Sequence, residues 1–169
     1  IDTSSLNDFI INSITFDSSA GAFVINNGVN GGPAGSVIKL QGDITNNDAD
    51  LQTMNFNFQL NADVTAIAAA GDITIGGVIS EDGSARSLIK SGSNTLSLTG
   101  ASNYTGTTDI NAGKLQLGNG GTTGSLSTSS AIDMASDAAF MVNRTDTVTQ
   151  GTDFSSAAIT GDGYIVSAG

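Results

Sequence analysis

Short alternations of apolar and polar residues recur along the whole chain, and most are followed by turn-forming residues. In such an alternation every second side chain lies on the same face, so one face of a strand can join a core while the other meets water. The turns are built from Asn, Asp and Gly, as at 26–28, 46–48 and 119–121. The alternating patches are 14–16, 23–25, 38–40, 54–60, 73–75, 96–98, 115–117, 132–134 and 140–142. They predict an all-β fold of many short strands.

The patches return at a nearly constant interval. The step from Ile38 to Phe56 and the step from Leu96 to Leu115 are almost equal in length. Both are close to a period of about 20 residues, which lies at the short end of the range for solenoid proteins, in which each coil stacks on the previous one. The interval predicts a single β-solenoid segment over residues 1–169, with roughly eight coils of about 20 residues. At about 4.8 Å per coil the stack would be roughly 40 Å long.

Two all-β architectures fit short strands with frequent turns. One is an antiparallel sandwich or barrel, and the other is a parallel β-solenoid. Asn, Thr and small residues recur beside the apolar pairs, as stacked side-chain ladders require. Only 5% of the residues are aromatic, and there is no Trp to anchor a sandwich core. These two features favour the solenoid.

The charge and the missing residue types exclude several partners and chemistries. The net charge is −11 and the five basic residues are scattered, so neither a nucleic acid nor an anionic membrane surface is an expected partner. The absence of Cys excludes disulfides, zinc–thiolate sites and thiol catalysis. No apolar run approaches the ~18 residues of a membrane span, so no membrane insertion is expected. Because the sequence starts at Ile1, we expect a mature fragment or a part of a longer chain.

One segment, residues 88–118, carries a more specific pattern. It combines spaced Leu, Lys and Gly residues with a central Asn-Tyr-Thr-Gly sequence and a final Leu-Gly pair. The segment closely resembles the autotransporter-associated β-strand repeat, also called the passenger-associated transport repeat. It departs from that pattern at Asn94 and Thr107, where glycine is common. The matching residues are Leu88, Lys90, Gly92, Thr95, Leu96, Leu98, Gly100, Asn103, Tyr104, Thr105, Gly106, Thr108, Ile110, Asn111, Ala112, Gly113, Leu115, Leu117 and Gly118.

The resemblance implies a right-handed parallel β-helix in a bacterial protein that is exported across the outer membrane. In such a helix, Leu96 with Leu98 and Leu115 with Leu117 would form two inward-facing strands. The glycines of the motif would lie at the corners between strands. Tyr104 would cap a turn and stack on a neighbouring coil.

Candidate catalytic or metal sites are few. Without His or Cys, the common pairs of nucleophile and base are missing. Asp48 and Asp50 could form the carboxylate pair of a glycosidase, but a solvated turn after Asn46 and Asn47 is the simpler interpretation. The same oxygen-rich segment could bind calcium, although neither an EF-hand spacing nor a glycine-rich calcium nonapeptide is present.

Polysaccharide lyases also use parallel β-helices, with a basic residue near carboxylate-bound calcium. Arg86 and Lys90 are the pair that could serve, but Lys90 is the lysine of the repeat and Arg86 is expected in a surface loop. Fold likeness alone does not support a lyase. Phe56 and Phe58 are expected in the core rather than on a ligand platform.

The sequence therefore predicts a non-catalytic stalk, fibre or passenger scaffold with no catalytic, cofactor-binding or metal-binding residues. An adhesin that binds a host or surface glycan or protein through loops 26–35 and 143–154 is the alternative, and a lyase is the third. The sequons at Asn103 and Asn143 are not expected to be modified in a bacterial exported protein. A second copy of the repeat is expected to begin near 163–169, and copies of the chain are expected to associate end to end through unpaired terminal coils.

Overall fold

The computed structural model describes residues 9–26 and 37–168. Across those two ranges the chain forms eighteen short strands and no helix, and each strand pairs with its neighbours in parallel. The strands are β1 (Ile10–Ile11), β2 (Ile14–Phe16), β3 (Val24–Asn26), β4 (Val37–Leu40), β5 (Ile44–Asn46), β6 (Gln52–Asn55), β7 (Asn57–Leu60), β8 (Val64–Ala68), β9 (Ile73–Ile75), β10 (Ile79–Glu81), β11 (Leu88–Ser91), β12 (Thr95–Leu98), β13 (Thr108–Ile110), β14 (Lys114–Gly121), β15 (Ile132–Met134), β16 (Ala139–Arg144), β17 (Thr160–Gly161) and β18 (Tyr164–Ser167). A sandwich built of hairpins would have antiparallel neighbours, so the predicted parallel β-solenoid is confirmed.

The strands stack into three sheets around one core. Sheet A has the order β1-β4-β7-β10, sheet B the order β2-β5-β8-β11-β13-β15-β17, and sheet C the order β3-β6-β9-β12-β14-β16-β18. From β1 to β12 the chain visits sheets A, B and C in turn, so three successive strands make one coil. After β10 the sheet A position is taken by irregular segments, which are joined by an isolated parallel bridge between Ala101 and Ser125.

Coil length varies along the chain. Leu96 pairs with Leu115 in sheet C, which is the interval that the sequence predicted. Ile14 pairs with Ile44 in sheet B across a markedly longer stretch of chain. In the part of the chain that the structure describes, sheets B and C each contain seven strands. The predicted interval therefore holds in the repeat, and longer connections separate the strands toward the beginning of the chain.

The predicted period corresponds to about one alternating patch per coil, whereas the structure has three strands per coil in its first part. The longest predicted patch, 54–60, is not one strand, because it ends at Asn55 in sheet C and resumes at Asn57 in sheet A. The alternation hides this corner because Phe56, which lies at the corner, is also buried. Strand β8 was missed because small inward residues such as Ala66 give a weak apolar alternation.

The core consists of inward-facing residues that recur at the same place in successive coils. In sheet C we define a first column as Phe23, Gln52, Ile73, Leu96, Leu115, Phe140 and Ile165. The second column is Ile25, Met54, Ile75, Leu98, Leu117, Val142 and Ser167. The middle members of both columns are at most 1% exposed. Each buried Leu or Ile side chain stabilises the fold by about 1.5–3 kcal/mol, so these columns drive the stacking.

Glycine is required where the corner between sheets B and C passes close to the coil before it. Gly92 and Gly113 have φ angles of +79° and +65°. A Cβ atom would lie 2.3 Å from the carbonyl oxygen of Ala68 at the first position and 2.5 Å from that of Gly92 at the second. Both the positive φ and the close approach exclude a side chain, which confirms the predicted corner role of these two glycines.

Candidate functional site

The side chain of Lys90 points into the stack, although it carries the positive charge of β11, the first strand of the repeat. Its side chain occupies an inward position of β11 and is fully buried. Its Nζ donates hydrogen bonds to the carbonyl oxygens of Ser91 at 2.7 Å, Gly92 at 2.8 Å and Ala112 at 3.0 Å. The first two carbonyls lie at the end of β11 and just after it, and the third follows β13, so the ammonium group joins the corners of two adjacent coils.

The environment of Lys90 suits a group that holds two coils together better than it suits a catalytic base. Burial lowers the pKa of its ammonium group to about 8, and the negative charge of Asp72 opposes part of that shift. An ammonium group has three N–H donors and no acceptor, so the three carbonyl oxygens satisfy it completely. The group is enclosed by backbone and faces the core, where a polysaccharide could not reach it.

The hydroxyl group of Tyr104 begins a second buried connection between coils. It lies 2.7 Å from Thr108 Oγ1, which lies 2.8 Å from Ser130 Oγ, and Ser130 donates to the carbonyl oxygen of Gly106 at 2.7 Å. Because the proton of Ser130 points to a carbonyl, Thr108 must donate to Ser130 and Tyr104 must donate to Thr108. Burial raises the pKa of Tyr104, so its hydroxyl group stays protonated as this chain of hydrogen bonds requires.

These hydrogen bonds change the role predicted for Tyr104. The residue was expected to cap a turn by stacking on a neighbouring coil. The structure instead buries it completely and connects it, through Thr108 on β13, to Ser130 just before β15 in the next coil. Its contribution is a directed hydrogen-bond link inside the core.

Glu81, which precedes the repeat in sequence, binds the Asn-Tyr-Thr-Gly turn of the repeat through hydrogen bonds. Its carboxylate accepts hydrogen bonds from the backbone N–H of Thr105 at 2.9 Å, the hydroxyl group of Thr105 at 2.7 Å and the backbone N–H of Arg86 at 3.0 Å. Partial burial raises the pKa of Glu81, but these hydrogen bonds outweigh it and the net shift is downward. The carboxylate therefore remains ionised and ties the end of β10 to the following coil.

The predicted carboxylate pair does not converge on a common site. Asp48 is buried, and its Oδ1 accepts a hydrogen bond from the backbone N–H of Asp50 at 2.8 Å. The backbone N–H of Asp48 in turn donates to Asn46 Oδ1 at 3.0 Å, and Asn46 Nδ2 donates to the carbonyl oxygen of Asp72 at 3.0 Å. These side chains build a turn after β5, as the simpler interpretation predicted, but Asn46 and Asp48 are buried rather than solvated.

Residues 9–26 and 37–168 contain neither a cluster of metal ligands nor a membrane-spanning helix. No group of three or more His, Cys, Asp or Glu residues there could hold a metal ion. No helix there is long and apolar enough to cross a bilayer.

Arg86 and Lys90, the predicted basic pair, do not lie at one site either. Arg86 lies partly exposed on the surface, paired with Asp82 at 2.7 Å, whereas Lys90 is enclosed in the core. The structure therefore does not bring the two basic residues to one site. Phe56 and Phe58 are buried with ring centroids 4.9 Å apart and edge-on, which confirms the predicted core position.

The predicted binding loop 143–154 forms one wall of a groove at the β18 end of the stack. The groove encloses about 600 Å³ between this loop and β18. Its lining combines apolar residues with hydroxyl-bearing and charged residues, namely Val142, Arg144, Thr145, Asp146, Thr147, Val148, Phe154, Ile165, Val166 and Ser167. In the other predicted loop, residues 27–35 lie outside the described residues. Of the two sequons, Asn103 is exposed and Asn143 is partly buried.

Arg144 holds the loop 143–154 in place. Its side chain is only 7% exposed and pairs with Asp146 and, at 2.9 Å, with Asp153. It also donates to the carbonyl oxygen of Gly124 in the previous coil at 3.1 Å. The hydrogen bond to Asp146 raises the pKa of Arg144 and lowers that of Asp146. In the sequence Arg144 is one of five scattered cations, and the two nearby Asp residues are the signal that indicates this network.

The three inter-coil features of Lys90, Tyr104 and Gly113 fall in one stretch of sequence. Residues 88–117 match the family described as Passenger-associated-transport-repeat. This stretch is similar to a passenger-associated transport repeat. The match confirms the resemblance that was predicted from residues 88–118.

A relative extends the comparison beyond the repeat. The chain is 42% identical over 82 residues to the protein named Adhesin BmaC autotransporter from Brucella suis biovar 1 (strain 1330). That region is 48% of this chain and 2% of the relative, so the chain spans only a small part of that protein's length. No solved structure matches the chain.

Proposed function

We propose that the chain is a non-catalytic structural segment of a surface-exported passenger, and that its function depends on the length and stiffness of a right-handed coil stack. The observation that carries this proposal is that polar side chains in and beside the repeat connect one coil to the next. Lys90 and Glu81 form hydrogen bonds that connect coils, and Tyr104 is linked to the next coil through Thr108. The matched repeat family and the autotransporter adhesin among the relatives support export to the cell surface.

The proposal includes a finer description of the coils. A chain built only of coils of about 20 residues would hold roughly eight of them. The spacing between Leu96 and Leu115 supports that unit within the repeat. The second copy of the repeat proposed near 163–169 is supported by β18, which continues the register of β16.

The groove beside loop 143–154 favours an adhesin as the second candidate function. Thr145, Asp146 and Thr147 in its lining are exposed, and a lining of apolar residues with a few polar groups is typical of ligand sites. In this case the coil stack would present the groove to a glycan or a protein. A polysaccharide lyase is the least supported candidate, since Lys90 is enclosed by backbone.

One experiment separates these functions. The chain and its double variant Thr145→Ala/Thr147→Ala would be applied to a glycan array, with thermal unfolding measured for both. The structural proposal expects no binding by either protein and equal melting temperatures. Binding that the double variant loses without a change in melting temperature would overturn it in favour of an adhesin. Calcium-dependent cleavage of uronate polymers would overturn it in favour of a lyase.

A further inference from the structure

The end of β14, in the middle of the stack, contains an exposed Asn-Gly pair. The sequence holds three such pairs, at 27–28, 30–31 and 119–120, and the last of them lies among the described residues. Both Asn119 and Gly120 are exposed, although they belong to a strand whose earlier residues are buried. Water can therefore reach the side-chain amide of Asn119 and the peptide bond that follows it.

The pair lies in a bulge, where β14 leaves the regular ladder with β16. The pairing of the two strands is regular up to Leu117 and resumes at Gly121 after a shift of register. Residues 118–120 therefore lie opposite the single residue Asn143 of β16. Because a bulge leaves its extra residues unpaired, the peptide bond after Asn119 is less constrained than the peptide bonds of the regular ladder.

Gly120 leaves the space beside its backbone nitrogen open. Its φ angle is +78°, and a Cβ atom built on it would meet no heavy atom within 4 Å. At Gly118, in the same bulge, a Cβ atom would lie 2.6 Å from the carbonyl oxygen of Asn143, so the open space belongs to the tip of the bulge. Since glycine has no Cβ and a wide range of backbone conformations, its nitrogen can approach the preceding side chain closely.

The side chain of Asn119 can turn toward that nitrogen. Among the described residues, no hydrogen bond or ion pair holds this side chain. The buried Asn46 shows the opposite case. Its Nδ2 donates to the carbonyl oxygens of Asp50 and Asp72, each at 3.0 Å, and its Oδ1 accepts from the backbone N–H of Asp48. An amide held on both sides cannot rotate toward the backbone, whereas the amide of Asn119 can.

We propose that Asn119 is a site of spontaneous deamidation in the folded chain. The backbone nitrogen of Gly120 gives its proton to the solvent and attacks Cγ of Asn119. A carbon–nitrogen bond forms, the bond from Cγ to the side-chain nitrogen breaks, and ammonia leaves. Water then opens the cyclic imide at either of its two carbonyl carbons, which gives aspartate or isoaspartate. The net reaction consumes water and releases ammonia, and it goes beyond the proposed structural function.

The modification changes the surface of the bulge and leaves the stack intact. Either product adds a negative charge to a chain whose net charge is −11. Isoaspartate also inserts a methylene carbon into the backbone. The bulge already contains extra residues, and exposed segments of this kind tolerate insertion. We expect the melting temperature of the modified chain to differ by less than about 2 °C from that of the parent chain.

Peptide mapping by mass spectrometry, after incubation of the folded chain at pH 8, tests the proposal. Trypsin releases residues 91–114 and 115–144, so Asn111 and Asn119 are followed in separate peptides of one digest. Asn111 is exposed and precedes Ala112, which makes it the internal control. We expect Asn119 to convert to a mixture of aspartate and isoaspartate at least roughly tenfold faster than Asn111, because only Asn119 precedes glycine.

Two alanine variants separate the attacking residue from its neighbour. Gly120→Ala places a Cβ atom beside the attacking nitrogen and should slow the conversion roughly tenfold. Gly121→Ala adds the same atom one residue later, where a Cβ atom also meets nothing within 4 Å, and should leave the rate nearly unchanged. Circular dichroism would verify that both variants keep the β fold of the parent chain.

Three results would overturn the proposal. The first is conversion of Asn119 no faster than that of Asn111. The second is an equal effect of the two alanine variants on the rate. The third is a rate in the folded chain that is more than roughly tenfold below the rate in urea, because the fold would then protect this peptide bond instead of leaving it open.

Discussion

In and beside the repeat, Lys90 and Glu81 make hydrogen bonds from one coil to the next, and Tyr104 is linked to the next coil through Thr108. Lys90 and Tyr104 lie inside the core, where an unpaired polar group would cost about 1–3 kcal/mol. The bonds that cross between coils form only when the next coil is in register. At the residue scale, these bonds add specificity to a core that leucine columns alone would allow to slip.

Removing the hydroxyl group of Tyr104 should destabilise the chain. In Tyr104→Phe, Thr108 loses the donor at the start of the buried hydrogen-bond chain. We expect the free energy of unfolding to fall by about 1–2 kcal/mol in urea titration. Tyr164→Phe is the matched control, because Tyr164 is exposed, and it should change stability by less than about 0.5 kcal/mol. Equal effects of the two substitutions would contradict the assigned hydrogen bonds.

Lys90 should make stability rise with pH. The pKa of Lys90 is about 8 in the folded chain, below the ordinary value of 10.5. Between these values the unfolded chain binds more protons than the folded chain, so the free energy of unfolding increases, by up to about 3 kcal/mol over the whole window. Below pH 8 both states carry the charge, and the group contributes no further pH dependence.

Urea titrations at pH 7, 8, 9 and 9.5 would measure this rise. The variant Lys90→Met lacks the titrating group and serves as the reference at every pH. The difference in stability between the parent chain and the variant should shift in favour of the parent chain as the pH increases. A difference that is constant over this range would show that the ammonium group is not desolvated.

At the scale of the elements, the leucine pairs and two corner glycines were predicted correctly because they follow local rules. Leu96 lies opposite Leu115, as the regular interval between the patches predicted. The corner at Phe56 was not predictable, because a buried corner residue preserves the alternation of a continuous strand. The Arg144 network was missed because its partner carbonyl at Gly124 lies in a different coil.

The corner glycines give a prediction at this scale. Gly113 and Gly120 both have positive φ, but a Cβ atom at Gly113 would meet the oxygens of Gly92 and Asn94 at 2.5 and 2.6 Å, while Gly120 has open space. Alanine in the left-handed region costs about 1–2 kcal/mol at either site. Thermal unfolding should therefore show a small loss for Gly120→Ala and a clearly larger loss for Gly113→Ala. Similar losses would mean that backbone strain alone, and not the approach of the coils, requires glycine.

At the scale of the whole molecule, the chain is a stack whose two described ends are exposed and whose surface is strongly acidic. The parallel arrangement was predictable from composition and from the repeat, because both favour stacked coils over hairpins. The assignment of three strands to a coil was not, since it depends on which short patches share a sheet. The net charge of −11 makes copies of the chain repel one another.

Parallel stacking of coils is tested most directly by distances along one outward-facing row of sheet C. The row passes from Thr53 through Thr74, Ser97 and Gln116 to Met141 and Val166. Spin labels on cysteines introduced at 53 and 141, and separately at 53 and 166, would report these distances by pulsed electron paramagnetic resonance at low protein concentration. The stack predicts about 19 Å and about 24 Å between the labelled backbone positions, a difference of one coil. A pair 53–166 that is closer than the pair 53–141 would contradict the parallel solenoid.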